Sequence, residues 1–349
     1  MHSEDQAWIS AFNFRLMGFR NPPAFKYLRH WWQRSADLRA TDEKRSDSCP
    51  LEYALDYYKT MRGKEYAREL SLAYISTSSL THNEPEKVQM FDDRLVGFYR
   101  DMEHAGHLNS TVVVLFGDHG MREGDFRQTA QGSNEERLPF VSVSLPPRFY
   151  AEHPRMARNL RRNSRVLTTP YDVHVTLKHL LSLDETKPPE SHVYGHSLFT
   201  DIVKQNRTCA SAGIPFNWCV CTKLYPVANP KDDSTVLKVA AEMVKTINAI
   251  VSNETEAREQ CARLTLAGII RAGIFDRPFD FDKTSYETYQ IVFHVSPSQG
   301  VFEGTAEYHK ESGQMRVNSN FSRVNLYGKQ PACIARKLPY LRKFCFCKS

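Results

Sequence analysis

The longest unbroken apolar run in the chain is Thr111-Val112-Val113-Val114-Leu115-Phe116, rich in β-branched residues. Such a run predicts a strand covered on both faces, as in a parallel sheet. It stops at Gly117-Asp118-His119-Gly120, and a second run, Leu138-Pro139-Phe140-Val141-Ser142-Val143, follows a polar loop. Helical spacing surrounds the two. Leu51, Ala54, Leu55, Tyr58 and Met61 predict a helix over Pro50 to Glu69, and Val88, Phe91, Leu95, Phe98 and Met102 predict another that Gly106 ends. Between them lie a short strand, Leu70 to Ile75, and a polar loop from Ser76 to Pro85. Thr169-Pro170-Tyr171-Asp172 predicts a further helix start, with an N-cap Thr, Pro in first position and an acid in third. This βαβα alternation predicts an α/β fold, a sheet sandwiched by helices.

After Thr200 the pattern changes. A cysteine-rich loop leads to a helix over Val236–Val251, and the alternating segments Tyr289–Val295, Gly300–Tyr308 and Met315–Asn318 then predict antiparallel strands. The change places a domain boundary near residue 205. It separates an α/β region, 1–205, from a smaller cysteine-rich α+β domain, 206–349.

With 41% apolar and 25% charged residues, the composition excludes disordered and collagenous classes. No window reaches the roughly 18 consecutive apolar residues of a membrane span, so none is expected. The net charge of +6, from 46 basic and 40 acidic residues, is too small to imply a nucleic-acid partner. Arg155, Arg158, Arg161, Arg162 and Arg165 form one denser patch. A solvated helix face accounts for it, with an anion-binding patch as the alternative.

Of eight cysteines, Cys49 stands alone, and Cys209, Cys219, Cys221, Cys261, Cys333, Cys345 and Cys347 crowd the C-terminal part. They predict a disulfide framework. The rival arrangement joins Cys219/Cys221 and Cys345/Cys347 into a zinc site, although such sites favour a wider spacing within each pair. Four N-x-[ST] sequons start at Asn109, Asn206, Asn253 and Asn320. Together these features predict an extracellular or secretory-lumen glycoprotein. No signal peptide follows Met1, and the expectation is that it is lost with a missing N-terminal part.

Asp118 and His119 sit where ligands bind in open α/β sheets, beyond the carboxyl end of a strand. A carboxylate beside an imidazole suits a divalent cation, and the following glycine permits a tight turn. An ordinary Asp-His turn is the simpler alternative. The run from Val112 to Met121 resembles the strand followed by (S/G)-D-H-G-M of the alkaline phosphatase superfamily, which includes nucleotide pyrophosphatases and sulfatases. Gln131–Phe140, Leu167–His174, Tyr194–Phe199, Ala212–Pro215, Trp218–Cys221 and Cys345–Cys347 resemble a metazoan group of sulfatase-like proteins of uncharacterised function.

That resemblance implies an alkaline phosphatase/sulfatase-like sheet and a divalent metal, zinc, calcium or manganese, held in part by Asp118 and His119. It implies a metal or substrate role for His82, whose companion acid is replaced by Ser78, and an anion-facing role for Arg122 and Arg127. The superfamily's Thr, Ser or formylglycine nucleophile has no counterpart, since Cys49-Pro50-Leu51 does not match C-x-P-S-R. The chain therefore reads as the C-terminal portion of a metal-dependent phosphate or sulfate ester hydrolase, inactive by itself and with no catalytic residue to name. Its partner would be an anionic ester substrate. The alternative is an extracellular pseudoenzyme that binds anions or proteins with the same fold.

Overall fold

The structure, a computed structural model, describes residues 2–3, 72–75, 85–185, 189, 193–202, 206–276 and 285–348. The helix expected over Pro50–Glu69, together with Cys49, Ser78 and His82, lies outside the described residues. The chain divides into two compact units, Met1–Val114 with Val143–Glu152, and Leu115–Ser142 with His153–Ser349.

In the first unit His2–Ser3 (β1) pairs in parallel with Tyr74–Ile75 (β2). The helix α1, Gln89–His104, follows as its spacing predicts, half-burying Phe91, Leu95 and Phe98 and fully burying Met102. Gly106, left-handed at φ 71°, lies just past its end. The strand β3, Val113–Phe116, begins in this unit and forms a two-stranded sheet with β4, Val141–Ser144, whereas the two short helices between them, α2, Asp125–Gln128, and α3, Ala130–Arg137, belong to the second unit. β3 is only half-buried and Phe116 is exposed, so the expectation of a strand covered on both faces is not met. A ladder of two strands is too narrow to carry covering helices on each side. Pro147–Glu152 (α4) completes this part of the chain.

In the second unit α5, Pro154–Asn163, precedes α6, Pro170–Ser182. The latter starts as the sequence predicts, with a reciprocal capping box between Thr169 and Asp172. The remaining chain builds a six-stranded sheet in the order β10-β8-β7-β6-β5, with β9 also paired to β8. Its strands are Leu224–Pro226, Thr265–Phe275, Tyr286–Ser296, Val301–His309, Met315–Val317 and Ser322–Arg323 for β5 to β10, and every pairing is antiparallel.

Before β6 come α7, Ser234–Ser252, and α8, Thr255–Gln260. Asp233 caps α7 by accepting from the Thr235 and Val236 amides at 2.9 and 2.8 Å. Val236, Val239, Ala240, Met243, Val244 and Ile247 recur at spacings of one, three and four, and that stripe is buried. It belongs to one core with Ile291 and Phe293 of β7, Phe302 of β8, and Phe321, Ile334, Leu341 and Phe344. Burying each such side chain contributes about 1.5–3 kcal/mol.

β8 is buried on both faces. Phe302 and Ala306 belong to the core with α7, while Glu303, pointing the other way, bonds to α2 and α3. The expected boundary near residue 205 therefore does not separate compact units. Residues 206–349 share one unit with 115–142, joined through this second face of the sheet.

Candidate metal-binding loop and its buried support

Directly after β3 the chain turns through Asp118 and His119. The His119 amide donates to Asp118 Oδ1 at 2.9 Å, which folds the carboxylate back over its neighbour. His119 Nδ1 lies 2.7 Å from the Gly120 carbonyl oxygen. A carbonyl only accepts, so in the neutral ring Nδ1 carries the proton and the lone pair is on Nε2. That Nε2 is 3.5 Å from Asp118 Oδ2, with the two side chains 32% and 76% exposed.

Two ligands bound about 2.1 Å from one tetrahedral ion stand roughly 3.4 Å apart. The separation is compatible with two ligands of one divalent cation as well as with a simple Asp–His contact, and the Gly120 carbonyl oxygen fixes the imidazole through its other nitrogen. Among the described residues no third His, Cys, Asp or Glu forms a ligand cluster with them. The remaining coordination would fall to water or to other residues.

The loop rests on α3. Gly120 donates to the Glu136 carbonyl oxygen at 3.2 Å, and a Cβ at Gly120 would stand 2.3 Å from the Glu135 carbonyl oxygen. Only glycine permits this approach. Gly132 is pressed likewise against Phe126, where a Cβ would fall 2.0 Å from the carbonyl oxygen. On the far side of α3 lies a buried ionic cluster. Glu303 accepts from Arg127 Nη1 and Nη2 at 3.2 and 3.3 Å, from Arg271 Nη2 at 3.3 Å, from the Ser133 hydroxyl at 3.1 Å and from Arg137. Arg127 Nε also donates to Glu136 at 2.5 Å, and the Arg137 guanidinium lies over the Trp218 ring.

Burial alone would push the Glu303 carboxyl up, yet Arg137, Arg127 and Arg271 together hold it down at about 2. For Glu136 burial prevails over the arginines, and its carboxyl is raised.

Arg127 is therefore a correction to the sequence reading. Its side chain is 0% exposed and committed to two carboxylates, so it cannot face an external anion. Arg122 is exposed and has no hydrogen-bond or ion-pair partner among the described residues, and it stays available for that role.

The other resemblance-bearing stretches meet around a second buried acid. Asp172 accepts from the Thr169 amide at 2.6 Å, the His196 amide at 2.8 Å and Arg207 Nη1 at 2.7 Å. It thereby joins the start of α6 to the Tyr194–Phe199 segment; the sequence marks Asp172 only as a cap acid and does not mark Arg207. An acid in third helical position signals a cap, and nothing local signals the arginine that pairs with it. His179, also missed, is buried with Nδ1 2.8 Å from the Ser197 hydroxyl and Nε2 3.0 Å from the Asp184 carbonyl oxygen, a packing role.

Among the described residues three disulfides form: Cys209–Cys219, Cys261–Cys345 and Cys333–Cys347. They engage one cysteine of the Cys219/Cys221 pair and both of the Cys345/Cys347 pair, which replaces the zinc arrangement. Cys221, expected among the paired cysteines, is a free exposed thiol here. Asn109, Asn206, Asn253 and Asn320 are all exposed. No helix among the described residues is long and apolar enough to cross a membrane.

The family described as "Protein of unknown function (DUF229)" matches residues 1–270, and the chain belongs to it. The match includes the Asp118 loop, α3 and the Asp172 hub, whereas Arg271 and Glu303, which anchor α3, lie beyond it. No curated protein and no solved structure matches the chain.

Proposed function

We propose that the chain is a sulfatase-like member of the alkaline phosphatase superfamily, in which Asp118 and His119 supply two ligands to a divalent cation. The observation that carries this reading is the 3.5 Å gap between His119 Nε2 and Asp118 Oδ2, with Nδ1 engaged by the Gly120 carbonyl oxygen. A bound cation would polarise a phosphoryl or sulfuryl oxygen as a Lewis acid. This chain's own residues hold the ligands in place: Asp118 brings negative charge, the Gly120 carbonyl orients the imidazole, and α3 fixes the turn. Exposed Arg122 could meet the ester's remaining charge.

The sequence contains no match to the superfamily's nucleophile motif. We therefore assign cation and ester binding to this chain, and hydrolysis to a form that also carries the attacking group. His82 keeps its proposed metal or substrate role. Three disulfides and four exposed sequon asparagines support an oxidising, secretory location. A second reading, a binding protein without catalysis, is favoured by one observation: Arg127, offered by the resemblance to the ester, is consumed in the interior.

Equilibrium dialysis against zinc, manganese and calcium tests the assignment. Asp118→Ala should weaken the preferred ion by at least about tenfold, since losing even an outer-shell partner costs about 10–100-fold. Equal occupancy in the parent and the variant would count against it. With p-nitrophenyl phosphate and p-nitrophenyl sulfate the loaded protein should show binding without turnover, and turnover that vanishes in Asp118→Ala would overturn the assignment of hydrolysis to another form and exclude the binding-only reading.

A further inference from the structure

Arg155, Arg158 and Arg162 recur at spacings of three and four along α5, so they leave it on one face. They line a cleft of about 310 Å³ whose opposite side is formed by Glu185, Thr200 and Asp201. Asp201 is paired with an arginine of the same cleft, and Glu185 has a histidine beside it. Asp201 Oδ2 lies 3.3 Å from Arg162 Nη1, and Glu185 Oε1 lies 3.6 Å from His153 Nδ1. Arg155 and Arg158 are exposed and have no hydrogen-bond or ion-pair partner among the described residues.

The walls are fixed to each other. Asn159 donates to the Phe199 carbonyl oxygen at 2.8 Å, and buried Asn163 donates to those of Leu198 and Thr200 at 2.8 and 2.7 Å. Two like-charged arginines thus leave the helix one turn apart beside a preformed space, an arrangement that an anion would relieve.

We propose that this cleft binds an oxyanion ester group, with Arg155 and Arg158 as its two forks. Guanidinium groups match the oxygen spacing of sulfate and phosphate in bidentate fashion. The volume lies at the lower end of the range of small-ligand sites, about 300–1,000 Å³. The site uses no residue of the Asp118 loop, so Asp118→Ala leaves it intact.

The test is calorimetric titration of the full chain at low salt with two probes, a sulfated heparin disaccharide and glucose 6-phosphate. At least one should bind, and the one that binds identifies the ester. The double variant Arg155→Gln/Arg158→Gln should lose at least about tenfold in affinity, as expected for charge-assisted bonds. Arg161→Gln/Arg165→Gln, which removes the same charge next to the cleft, should change it by less than about twofold. Binding of neither probe, or equal loss in both double variants, would overturn the site.

Discussion

Replacing Glu303 by Gln is expected to lower the unfolding free energy by about 3–5 kcal/mol, the usual cost of removing one partner from a buried charge network. The carboxylate is 4% exposed and accepts from three arginines and a serine, with Arg127 itself fully buried. Neutralising it leaves Arg127 with Glu136 as its carboxylate partner and Arg271 with the Gln128 carbonyl oxygen alone. The effect also carries a pH signature. Glu303 is held at about 2 against a usual 4.5, so its stabilisation is complete above pH 4.5 and is lost as the pH falls toward 2.

Glu136, raised in the fold, acts with the opposite sign and mainly above pH 4.5. The interval from 4.5 to 2 therefore separates Glu303 from Glu136, and comparison with Glu303→Gln separates it from the other carboxylates. Urea unfolding followed by circular dichroism should show the loss at neutral pH and a flatter dependence on pH in the acid range. An unchanged midpoint at pH 7 would mean that the cluster does not bear on stability.

The second large effect concerns Cys261–Cys345. The bridge spans 84 positions of sequence, against 10 for Cys209–Cys219. In the chain-entropy account the longer loop is worth about 4–5 kcal/mol and the shorter about 3. Both sulfurs of the longer bridge lie in the core, beside α7 and Phe344. The Ala262 amide donates to the Phe346 carbonyl oxygen at 2.7 Å, so the closing segment is strapped along the residues after α8. Replacing both cysteines of each bridge by alanine, in separate double variants, should reproduce that order in urea midpoints. A reversed order would show that packing and strain outweigh loop closure here.

Local signals were legible and distant partnerships were not. The capping box at Thr169 and Asp172, the stripe of α7 and the alternation of β7, β8 and β9 are written in neighbouring residues, and each lies close to where its pattern puts it. β6 escaped because register shifts between Leu266 and Gly268 and between Ile269 and Arg271 break its period of two. Nothing near Arg127 in the sequence announces its burial, because its partner Glu303 lies 176 positions away. Glu303 in turn stands on the polar side of an alternating strand, a pattern that denotes solvent unless something packs over it. The Asp118 and His119 pair was visible because the residues are adjacent. The lock on Nδ1 was not, since it depends on how the turn presents the Gly120 carbonyl oxygen.

Nuclear magnetic resonance of the histidine ring protons during titration with Mn²⁺ tests the cation assignment most directly. Paramagnetic broadening should reach His119 first, at ion concentrations that leave exposed His174 sharp, and Asp118→Asn should abolish the preference. Simultaneous broadening of both rings, or an unaffected His119, would contradict a cation held between Asp118 and His119.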